Sequence, residues 1–574
     1  MASQLFATKN IDRLLVEADE PQRRLKKTLG VWSLTALGVG AVIGTGIFIL
    51  TGTAAAGQTV QYPSLFKAPF LDVLLHGSGA LGAAGRPGAG PAIALSFFLV
   101  AVVCGFAALC YAELSSMIPI AGSAYTYTYA TIGEWVAWII GWDLILEYAV
   151  SNMAVAVGFS AYVDSLLQSF GIELPRALIT PAYTPLDGWR MHFNLPGFVI
   201  VMLLTILLVI GIRESAGANT FMVLVKVAAI LIFVFAAIEY VNPTNWKPFM
   251  PNGWQGVLTG GAIVFFTYIG FDSVSTAAEE TKNPKRDLPL GILLTLVICA
   301  ALYVSVAIVL TGLQHYSSFL GDAAPVANAL KSRGMFSVQR IVTIGALTGM
   351  ISSILVFQLG QARVWFAMSR DGLLPKAFSR VHQRFRTPDI STWVAGIVVG
   401  VPAGLLDIGT LADLSSIGTL FAFVLVSAAV LLLRRSQPDR PRAFRAPLVP
   451  WVPLISTLAC FVLMLGLTVE NWVRFVVWLV LGQLVYLAYG IRRSTLGAET
   501  EPEVRRRTLQ RADRWLIAAS LLIGSGGTYY AAVTANPASP SYYVWLVLGG
   551  SLGWLFAWVG ARNLRKDAQL LPRA

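Results

Sequence analysis

Four ionisable side chains lie inside long apolar runs of this sequence, where they can exchange protons or bind charged groups. Asp143 and Glu147 share one apolar stretch, Lys226 lies in a second, and Asp272 follows a third. A charged side chain at the centre of a membrane costs about 2.5–3.5 kcal/mol on insertion scales, so such residues usually serve ion or substrate binding. The chemistry to be expected is therefore ion handling inside a membrane.

Lys226 is the principal candidate because its apolar run extends on both sides. Snorkelling requires a nearby interface, and this position is too deep for it. One interpretation is a structural ion pair with a carboxylate, and the other is a proton carrier. Asp272 is the charge partner that we expect for Lys226. Asp272 also suits the start of a helix, where its carboxylate would cap free N–H groups.

Glu147 has two interpretations of equal weight. Its carboxylate could bind the basic side chain of a substrate, or it could form a hydrogen bond between helices. Asp143 lies four residues earlier and therefore points to the same helix face. We expect structural roles for Asp143 and for Glu113.

Glycines weaken the first apolar segment. Gly38, Gly40, Gly44 and Gly46 fall within nine residues, and each costs a helix about 1 kcal/mol relative to alanine. In lipid, the freed backbone groups need partners, so a broken helix is tolerated where it faces a cavity or a ligand. Close packing of helices through the Gly40-x-x-x-Gly44 spacing is the alternative.

A second interruption follows in the sixth apolar segment, where residues 265–272 read FFTYIGFD. The N-terminus of a half-helix offers free amides and suits a carboxylate, and unwound carbonyl groups suit an ammonium. Two such breaks facing each other would recognise the backbone of an α-amino acid. Matching breaks in two halves of a chain are typical of inverted-repeat transporters.

Composition excludes most other classes of protein. Of the 574 residues, 56% are hydrophobic and 13% are charged, whereas soluble domains carry about 25% charge. This excludes a nucleic-acid-binding protein, a secreted disulfide scaffold and an ordinary soluble enzyme. The net charge of +12 fits cytoplasmic loops rich in lysine and arginine. The spacing of the four cysteines indicates neither a metal site nor a disulfide.

Apolar segments long enough to span a membrane recur about fourteen times. The predicted spans are 31–54, 91–117, 133–163, 195–212, 217–240, 253–278, 287–313, 338–369, 390–407, 411–433, 451–469, 472–491, 514–535 and 540–561. Most lysine and arginine residues fall in the segments that are inside if both termini are cytoplasmic. Residues 1–30, with a short amphipathic helix, and 562–574 are the predicted cytoplasmic ends.

Seven stretches resemble the cationic amino acid transporter family, in its bacterial form, which belongs to the amino acid–polyamine–organocation (APC) superfamily. They lie between about residues 20 and 490 and read RRLKKTLG, GVGAVIGTGIF, AGPAIALSF, CYAELSSMIPIAGSAYTYTYATIGE, WIIGWDLILEYAV, FFTYIGFDSVSTAAEETKNPKRDLPLGI and RVWFAMSRDGLLP. The resemblance implies an all-α integral membrane protein with a LeuT-type fold. Its first repeat would cover 31–240 and its second 253–433, with four additional helices in 451–561. The loop 55–90 departs from the shorter relatives.

The resemblance also implies which residues bind the substrate. Those that would hold its carboxylate are Ile43, Gly44, Thr45 and Gly46. Carbonyl groups near Phe266, Thr267 and Ile269 would bind the substrate ammonium. Phe266 would also be the outer gate. Glu147 would lie beside the substrate side chain. Lys226 would replace the sodium ion of sodium-coupled relatives and hold the first and eighth helices together, with Asp272 as its partner in proton coupling.

The function that we expect is import of L-amino acids by proton symport and alternating access, with neutral substrates slightly favoured. An uncoupled or exchanging transporter of arginine, lysine or ornithine is the alternative, and a membrane sensor of amino acids is the alternative outside transport. Neither an enzyme motif nor a cofactor site is found, and protons are the expected coupling ion. The expected partners are the substrate and the lipid bilayer. An Ala-, Arg- and Leu-rich composition favours a bacterial inner membrane.

Overall fold

The computed structural model of the protein describes residues 5–12, 15, 27–60, 84–120, 122–180, 192–210, 215–385, 387–406, 408–498, 502–533 and 553–569. The first helices are α1 Val31–Val42, α2 Thr51–Ala56, α3 Ile93–Met117, α4 Ser123–Thr131, α5 Glu134–Gln168, α6 Leu195–Ile210, α7 Ser215–Ala237, α8 Gly253–Val264 and α9 Pro284–Leu313. They are followed by α10 Pro325–Ser332, α11 Phe336–Arg370, α12 Asp389–Ala403, α13 Ile408–Ser436, α14 Trp451–Leu465, α15 Val469–Val485, α16 Ile491–Arg493, α17 Thr495–Ala498, α18 Pro502–Val533 and α19 Gly553–Gln569.

Among the described residues, eight helices are long and apolar enough to cross a membrane, and the bent pair Val31–Val42 and Gly46–Ala56 makes up to nine. Shorter apolar helices, α6, α12 and α14, lie at three further predicted spans. The chain is therefore a multi-pass, almost entirely helical membrane protein. The total of about fourteen spans stays a prediction, because much of the predicted span 540–561 lies outside the described residues.

The C-terminal boundaries differ from those expected. α18 begins at Pro502 rather than near residue 514, because its first turns are charged and amphipathic and the apolar pattern marks only its later part. α19 runs to Gln569, so helix continues into the segment 562–574 that was predicted as a tail. Hydropathy locates the apolar part of a helix and not its polar ends.

The helices turn their apolar side chains outward, as expected for a surface in contact with lipid. On α7, Phe221 is 67% exposed and Phe235 is 70% exposed, whereas Lys226 on the same helix is 0% exposed. Polar residues therefore face the interior of the bundle, and α7 directs its lysine toward the other helices. This arrangement places the charged candidates at the centre of the protein.

Tryptophan side chains fasten α5 to α15. The rings of Trp142 and Trp478 stack with centroids 4.6 Å apart. The indole N–H of Trp142 donates to the Trp478 carbonyl oxygen (2.9 Å), and the indole N–H of Trp478 donates to the Trp142 carbonyl oxygen (3.1 Å). Trp138 adds a hydrogen bond to the Gly482 carbonyl oxygen at 2.9 Å. Helix α15 thus braces the helix that carries Glu147.

Glu113 has the structural role that was expected. Its two carboxylate oxygens accept hydrogen bonds from the Arg434 guanidinium (2.8 and 2.7 Å), from Arg442 Nε (3.2 Å) and from the Ala446 backbone N–H (2.8 Å). The interactions join the end of α3 to the end of α13 and to the loop that follows it. A buried carboxylate with this many donors is fully paired, as burial of a charge requires.

Short segments close both ends of the bundle. Residues 57–60 form strand β1 and pair in antiparallel fashion with 84–87, strand β2, so the ends of the predicted loop 55–90 make a hairpin. At the opposite end, Lys9 in the N-terminal segment forms an ion pair with Asp371. The predicted amphipathic helix lies only in part within the described residues, and its described part packs on the protein.

Candidate functional site

The first helix is interrupted where its glycines cluster. α1 ends at Val42, and a π-helical turn begins at Gly46. The two halves meet at an angle of 46°. Ile43 leaves the helix with ψ of 87°, and Ile43, Gly44 and Thr45 are all buried. The break predicted from the sequence is therefore present.

The same glycines also permit close packing. A Cβ atom on Gly44 would lie 2.9 Å from Ser353 Oγ, and one on Gly46 would lie 2.6 Å from Thr267 Cγ2 and 2.9 Å from Thr267 Cα. Real Cβ atoms do not approach other atoms this closely. The two interpretations of the glycine cluster, a break and a packing surface, are thus both correct.

The second interruption lies in the predicted sixth span. α8 ends at Val264 and is followed by the 3-10 turn Phe265–Tyr268. Ile269 is extended with ψ of 134°. Gly270 has a φ of +114° that favours glycine, and a further 3-10 segment runs over Phe271–Glu280. A change from helix to extended backbone and back exposes peptide groups at this point.

The two breaks touch each other. A Cβ on Gly270 would lie 2.9 Å from Ala41 Cβ, so the second break packs against the end of α1. The Tyr303 hydroxyl, from α9, lies 2.9 Å from the Val42 carbonyl oxygen and 2.8 Å from the Thr267 carbonyl oxygen. The hydroxyl has one proton, so it can donate a hydrogen bond to only one of these two carbonyl groups at a time. Tyr303 therefore links the two unwound segments.

All of the predicted substrate-binding residues except Glu147 belong to these two breaks. The Phe266 carbonyl oxygen accepts the Ile269 N–H at 3.2 Å, and the Thr267 hydroxyl donates to the Val264 carbonyl oxygen at 2.6 Å. The Thr45 hydroxyl lies 3.3 Å from the carbonyl oxygen of a residue on α5. Because a carbonyl oxygen has two lone pairs, the groups that already have one donor can still accept a second.

Lys226 binds the broken first helix. Its ammonium donates hydrogen bonds to the Gly40 carbonyl oxygen at 2.7 Å and to the Ile43 carbonyl oxygen at 2.9 Å. The Ser353 hydroxyl, from α11, lies 3.0 and 3.2 Å from the same two oxygens. Ammonium and hydroxyl thus share two carbonyl groups at the break. Lys226 lies between α1 and α11, the first and eighth predicted spans.

Asn219 and Ser352 extend this polar site by one layer. The Ser352 hydroxyl donates to Asn219 Oδ1 at 2.9 Å, and Asn219 Nδ2 lies 3.4 Å from the Ala36 carbonyl oxygen. Asn219 precedes Lys226 by two turns on α7, and this spacing could have marked it in the sequence. Tyr303 carried no such signal, since tyrosines are common in interfacial positions of membrane helices.

The expectation that Asp272 is the charge partner of Lys226 is wrong. The Asp272 carboxylate instead faces the Tyr148 hydroxyl at 3.4 Å and the Ser123 hydroxyl at 3.5 Å. Backbone carbonyl groups accept the hydrogen bonds of the lysine ammonium. Such partners cannot be recognised in the sequence, because every residue has a backbone carbonyl group. The site therefore separates its buried cation from its buried carboxylate.

Glu147 lies near both Asp143 and Asp272, and the side chains of Asp143 and Glu147 are buried. Within the described part of the chain, no donor forms a hydrogen bond with either carboxylate. The Thr419 hydroxyl faces Glu147 but donates to the Ser415 carbonyl oxygen at 3.1 Å. An ionised carboxylate in this position would be uncompensated, so each of these groups requires a proton or a cation.

The described residues contain no cluster of three or more His, Cys, Asp or Glu side chains that could hold a metal ion. The chemistry available is hydrogen bonding by backbone groups, one buried ammonium and three buried carboxyl groups. That set can bind a zwitterion and exchange protons.

Comparison with known proteins agrees with this description. The sequence matches the family model described as amino acid permease over residues 29–487. It is 46% identical to the branched-chain amino acid permease BcaP of Bacillus subtilis, over 86% of this chain and 100% of that protein. It is 44% identical to the methylthioribose transporter of the same organism, over 86% and 99%. It is 36% identical to the vacuolar cationic amino acid transporter 4 of Arabidopsis thaliana, over 76% and 68%.

Proposed function

Because this chain belongs to the amino acid permease family of the APC superfamily, we propose that it imports L-amino acids by proton symport and alternating access. The observation that carries the proposal is the Lys226 ammonium, which binds two carbonyl oxygens at the break of the first helix. A site of carbonyl and hydroxyl oxygens suits a cation, and here a side chain of the protein supplies that cation. Sodium is therefore unnecessary, and a proton can enter and leave in its place.

The substrate backbone would occupy the space between the two breaks. The amides of residues 43–46 would bind its carboxylate, since a half-helix N-terminus favours a negative charge. The carbonyl groups near Phe266, Thr267 and Ile269 would take its ammonium. Phe266 would close the site from outside. A zwitterion matches both ends and adds no net charge to the membrane interior.

Coupling would depend on the protonation of Lys226. The protonated side chain holds the Gly40 and Ile43 carbonyl groups beside Ser353, and thus holds α1 against α11. A neutral amine is a poorer donor, so loss of the proton would weaken that contact and favour the state that releases substrate. Lys226 donates to backbone carbonyl groups and not to Asp272 or Glu147, so these carboxyl groups would respond to the substrate rather than to the lysine.

Substrate class is the finer part of the proposal, and we favour neutral aliphatic amino acids. One relative is named for branched-chain substrates, and a protonated Glu147 would leave a neutral pocket. A cationic substrate is the second candidate, because Glu147 lacks a donor among the described residues and several relatives are named for cationic amino acids. In that case the Glu147 carboxylate would pair with the substrate side chain.

Five helices repeated twice would give this site its geometry. If each of the first five spans changes places with the span five positions later in the chain, the helix pairs named below become one another or stay the same. The pairs α3–α9, α5–α11 and α6–α12 map onto themselves, the pair α5–α13 maps onto α7–α11, and the pair α1–α9 maps onto α8–α3. This pattern supports repeats over 31–240 and 253–433, with additional helices in 451–561. The basic loops support cytoplasmic termini in a bacterial inner membrane.

The test is uptake into proteoliposomes of labelled alanine, leucine and arginine, each with and without an inward proton gradient. Uptake of alanine or leucine that rises with the gradient is the expected result. Arginine uptake that does not depend on the proton gradient would favour the cationic facilitator. In that case, Glu147→Gln should abolish arginine uptake and leave alanine uptake unchanged. Uptake of none of the three would contradict the proposal and favour the sensor.

A further inference from the structure

A buried ion pair joins the β-hairpin to α13. Arg86 Nη1 lies 2.5 Å from Asp413 Oδ2, and the two side chains are only 2% and 11% exposed. Gln58 on the facing strand accepts a weaker hydrogen bond from Arg86 (3.3 Å), and Asn471 Nδ2 donates to the same Asp413 oxygen (3.2 Å). The two charged residues are far apart in sequence and meet at the end of the bundle opposite the N-terminal segment.

The hairpin that carries Arg86 contacts both broken helices through hydrogen bonds and close backbone packing. The Ala89 N–H donates to the Ala54 carbonyl oxygen at the end of α2 (2.9 Å). A Cβ on Gly88 would lie 2.3 Å from the Ala55 carbonyl oxygen, so hairpin and helix are in direct backbone contact. Asn252, which precedes α8, donates to the Gly88 carbonyl oxygen at 2.8 Å. The hairpin that carries Arg86 is therefore attached to α2 and α8, the outer halves of the two broken helices.

Asp413 belongs to a different group of helices. It lies near the start of α13, which packs along α5, and α5 is fastened to α15 by stacked tryptophans. Asn471 at the start of α15 holds the Asp413 carboxylate. The ion pair thus crosses from the broken helices to a braced set of continuous helices.

We propose that the Arg86–Asp413 ion pair is an outer clasp of the transport cycle, closed in this structure and open when the substrate pathway faces outside. The proposal rests on alternating access as the mode of transport. A buried ion pair that stays buried contributes little to stability, because desolvation offsets the attraction. A pair whose partners separate into water regains its hydration, so it can form and break in every cycle. The clasp would bind the outer halves of both broken helices to α13 at once.

Cysteine labelling can read the state of the clasp without substrate. The four native cysteines are buried in apolar helices, so an introduced cysteine is the specific target. Ser415 is a suitable position, because it is buried between α13 and α5 with its hydroxyl 2.5 Å from that of Ser151. A membrane-impermeant maleimide would be applied from outside to right-side-out vesicles carrying Ser415→Cys.

We expect Arg86→Gln to raise the labelling rate of Ser415→Cys by about fivefold or more, because it leaves the Asp413 carboxylate buried without its charged partner and so disfavours the closed state. The matched control is Arg340→Gln, which removes an arginine whose Nη2 donates to the Ser169 carbonyl oxygen (2.7 Å) away from the hairpin. Arg340→Gln should leave the rate unchanged. An unchanged rate in a folded Arg86→Gln protein would overturn the proposal.

A reversible cross-link provides a second measurement. Arg86→Cys and Asp413→Cys would be joined by a reducible bifunctional thiol reagent. Uptake should stop on cross-linking and return with reductant, because the hairpin could no longer leave α13. Undiminished uptake by the cross-linked protein would mean that the hairpin is a fixed anchor. Labelling requires neither substrate nor a gradient, so absent uptake in the parent protein would refute transport and leave the clasp testable.

Discussion

Replacement of Lys226 by methionine tests the coupling mechanism most directly. Methionine has a similar length and fits an apolar helix, but it can neither donate a hydrogen bond nor bind a proton. The change leaves the Gly40 and Ile43 carbonyl oxygens, now 2.7 and 2.9 Å from the ammonium, without their charged donor. The position is completely buried, so water does not replace that donor in this conformation.

The size of the effect follows from the contacts. Two hydrogen bonds to a charged group are worth about 1.5–3 kcal/mol each. Ser353 lies within 3.2 Å of both oxygens, but its hydroxyl has one proton and can satisfy only one carbonyl group. The other would remain unpaired at a cost of about 1–3 kcal/mol. A difference of that size changes the population of the state with α1 held against α11 by about 5- to 150-fold.

The assay is leucine or alanine uptake into proteoliposomes at several imposed proton gradients. Lys226→Met should abolish the dependence on the gradient, while exchange at equal pH on both sides persists at a reduced rate. Lys331→Met, on the exposed surface of α10, is the matched control and should behave as the parent. Full retention of gradient-driven uptake by Lys226→Met would refute the assignment of Lys226 as the proton carrier.

Three further substitutions test the geometry. Gly46→Ala places a Cβ 2.9 Å from Thr267 Cα; overpacking of about 1–3 kcal/mol should push the two breaks apart and lower uptake by tenfold or more. Tyr303→Phe leaves one buried carbonyl group unpaired at about 1–3 kcal/mol, and a kinetic assay of uptake should show a higher KM. Gly482→Ala places a Cβ 2.4 Å from Trp142 Cδ1, and thermal unfolding should show a lower Tm with little change in uptake per folded molecule.

Two reference variants accompany these three substitutions. Gly30→Ala adds a Cβ where nothing lies within 4 Å, so uptake and Tm should stay unchanged. Tyr268→Phe removes a tyrosine hydroxyl that donates to the Phe97 carbonyl oxygen (2.9 Å) and should lower Tm without changing KM. Equal KM changes in the two tyrosine variants would contradict a special role for Tyr303. A Gly482→Ala protein that loses uptake but keeps its Tm would contradict the bracing role of α15.

Sequence reasoning located the features that are costly in a membrane. A lysine within an apolar run, four clustered glycines and an aspartate after an aromatic segment each depart from what lipid tolerates. Lys226 and the break at Gly44 were found for that reason, and the structure places them together. The glycine cluster was also assigned two alternative explanations, and both apply because an interrupted helix here lies against two neighbours.

Partners across the bundle were not predictable. The acceptors of Lys226 are backbone oxygens, which every residue has, so an ion pair with Asp272 was the natural but incorrect expectation. Tyr303 was hidden because a tyrosine in a membrane helix is usually interfacial. Arg86 and Asp413 are separated by 327 positions; Arg86 falls in the predicted loop 55–90, and Asp413 lies near the start of the predicted span 411–433. Such contacts depend on tertiary geometry that periodicity and hydropathy do not encode.

The separation of Lys226 from the buried carboxylates bears on how coupling and specificity can differ within one fold. Lys226 donates to carbonyl groups of the first break, which Ser353 of α11 also contacts. Glu147 and Asp143 face α13, and Asp272 follows the second break and faces Tyr148. On the proposed mechanism, a change in the carboxyl groups would alter which side chain the site accepts without disturbing the Lys226 contact that is proposed to respond to the proton. Relatives named for branched-chain and for cationic amino acids are compatible with one backbone site of this kind. Tyr303 and Ser353, which contact carbonyl groups at the breaks rather than a side-chain pocket, would then be needed whichever amino acid is carried.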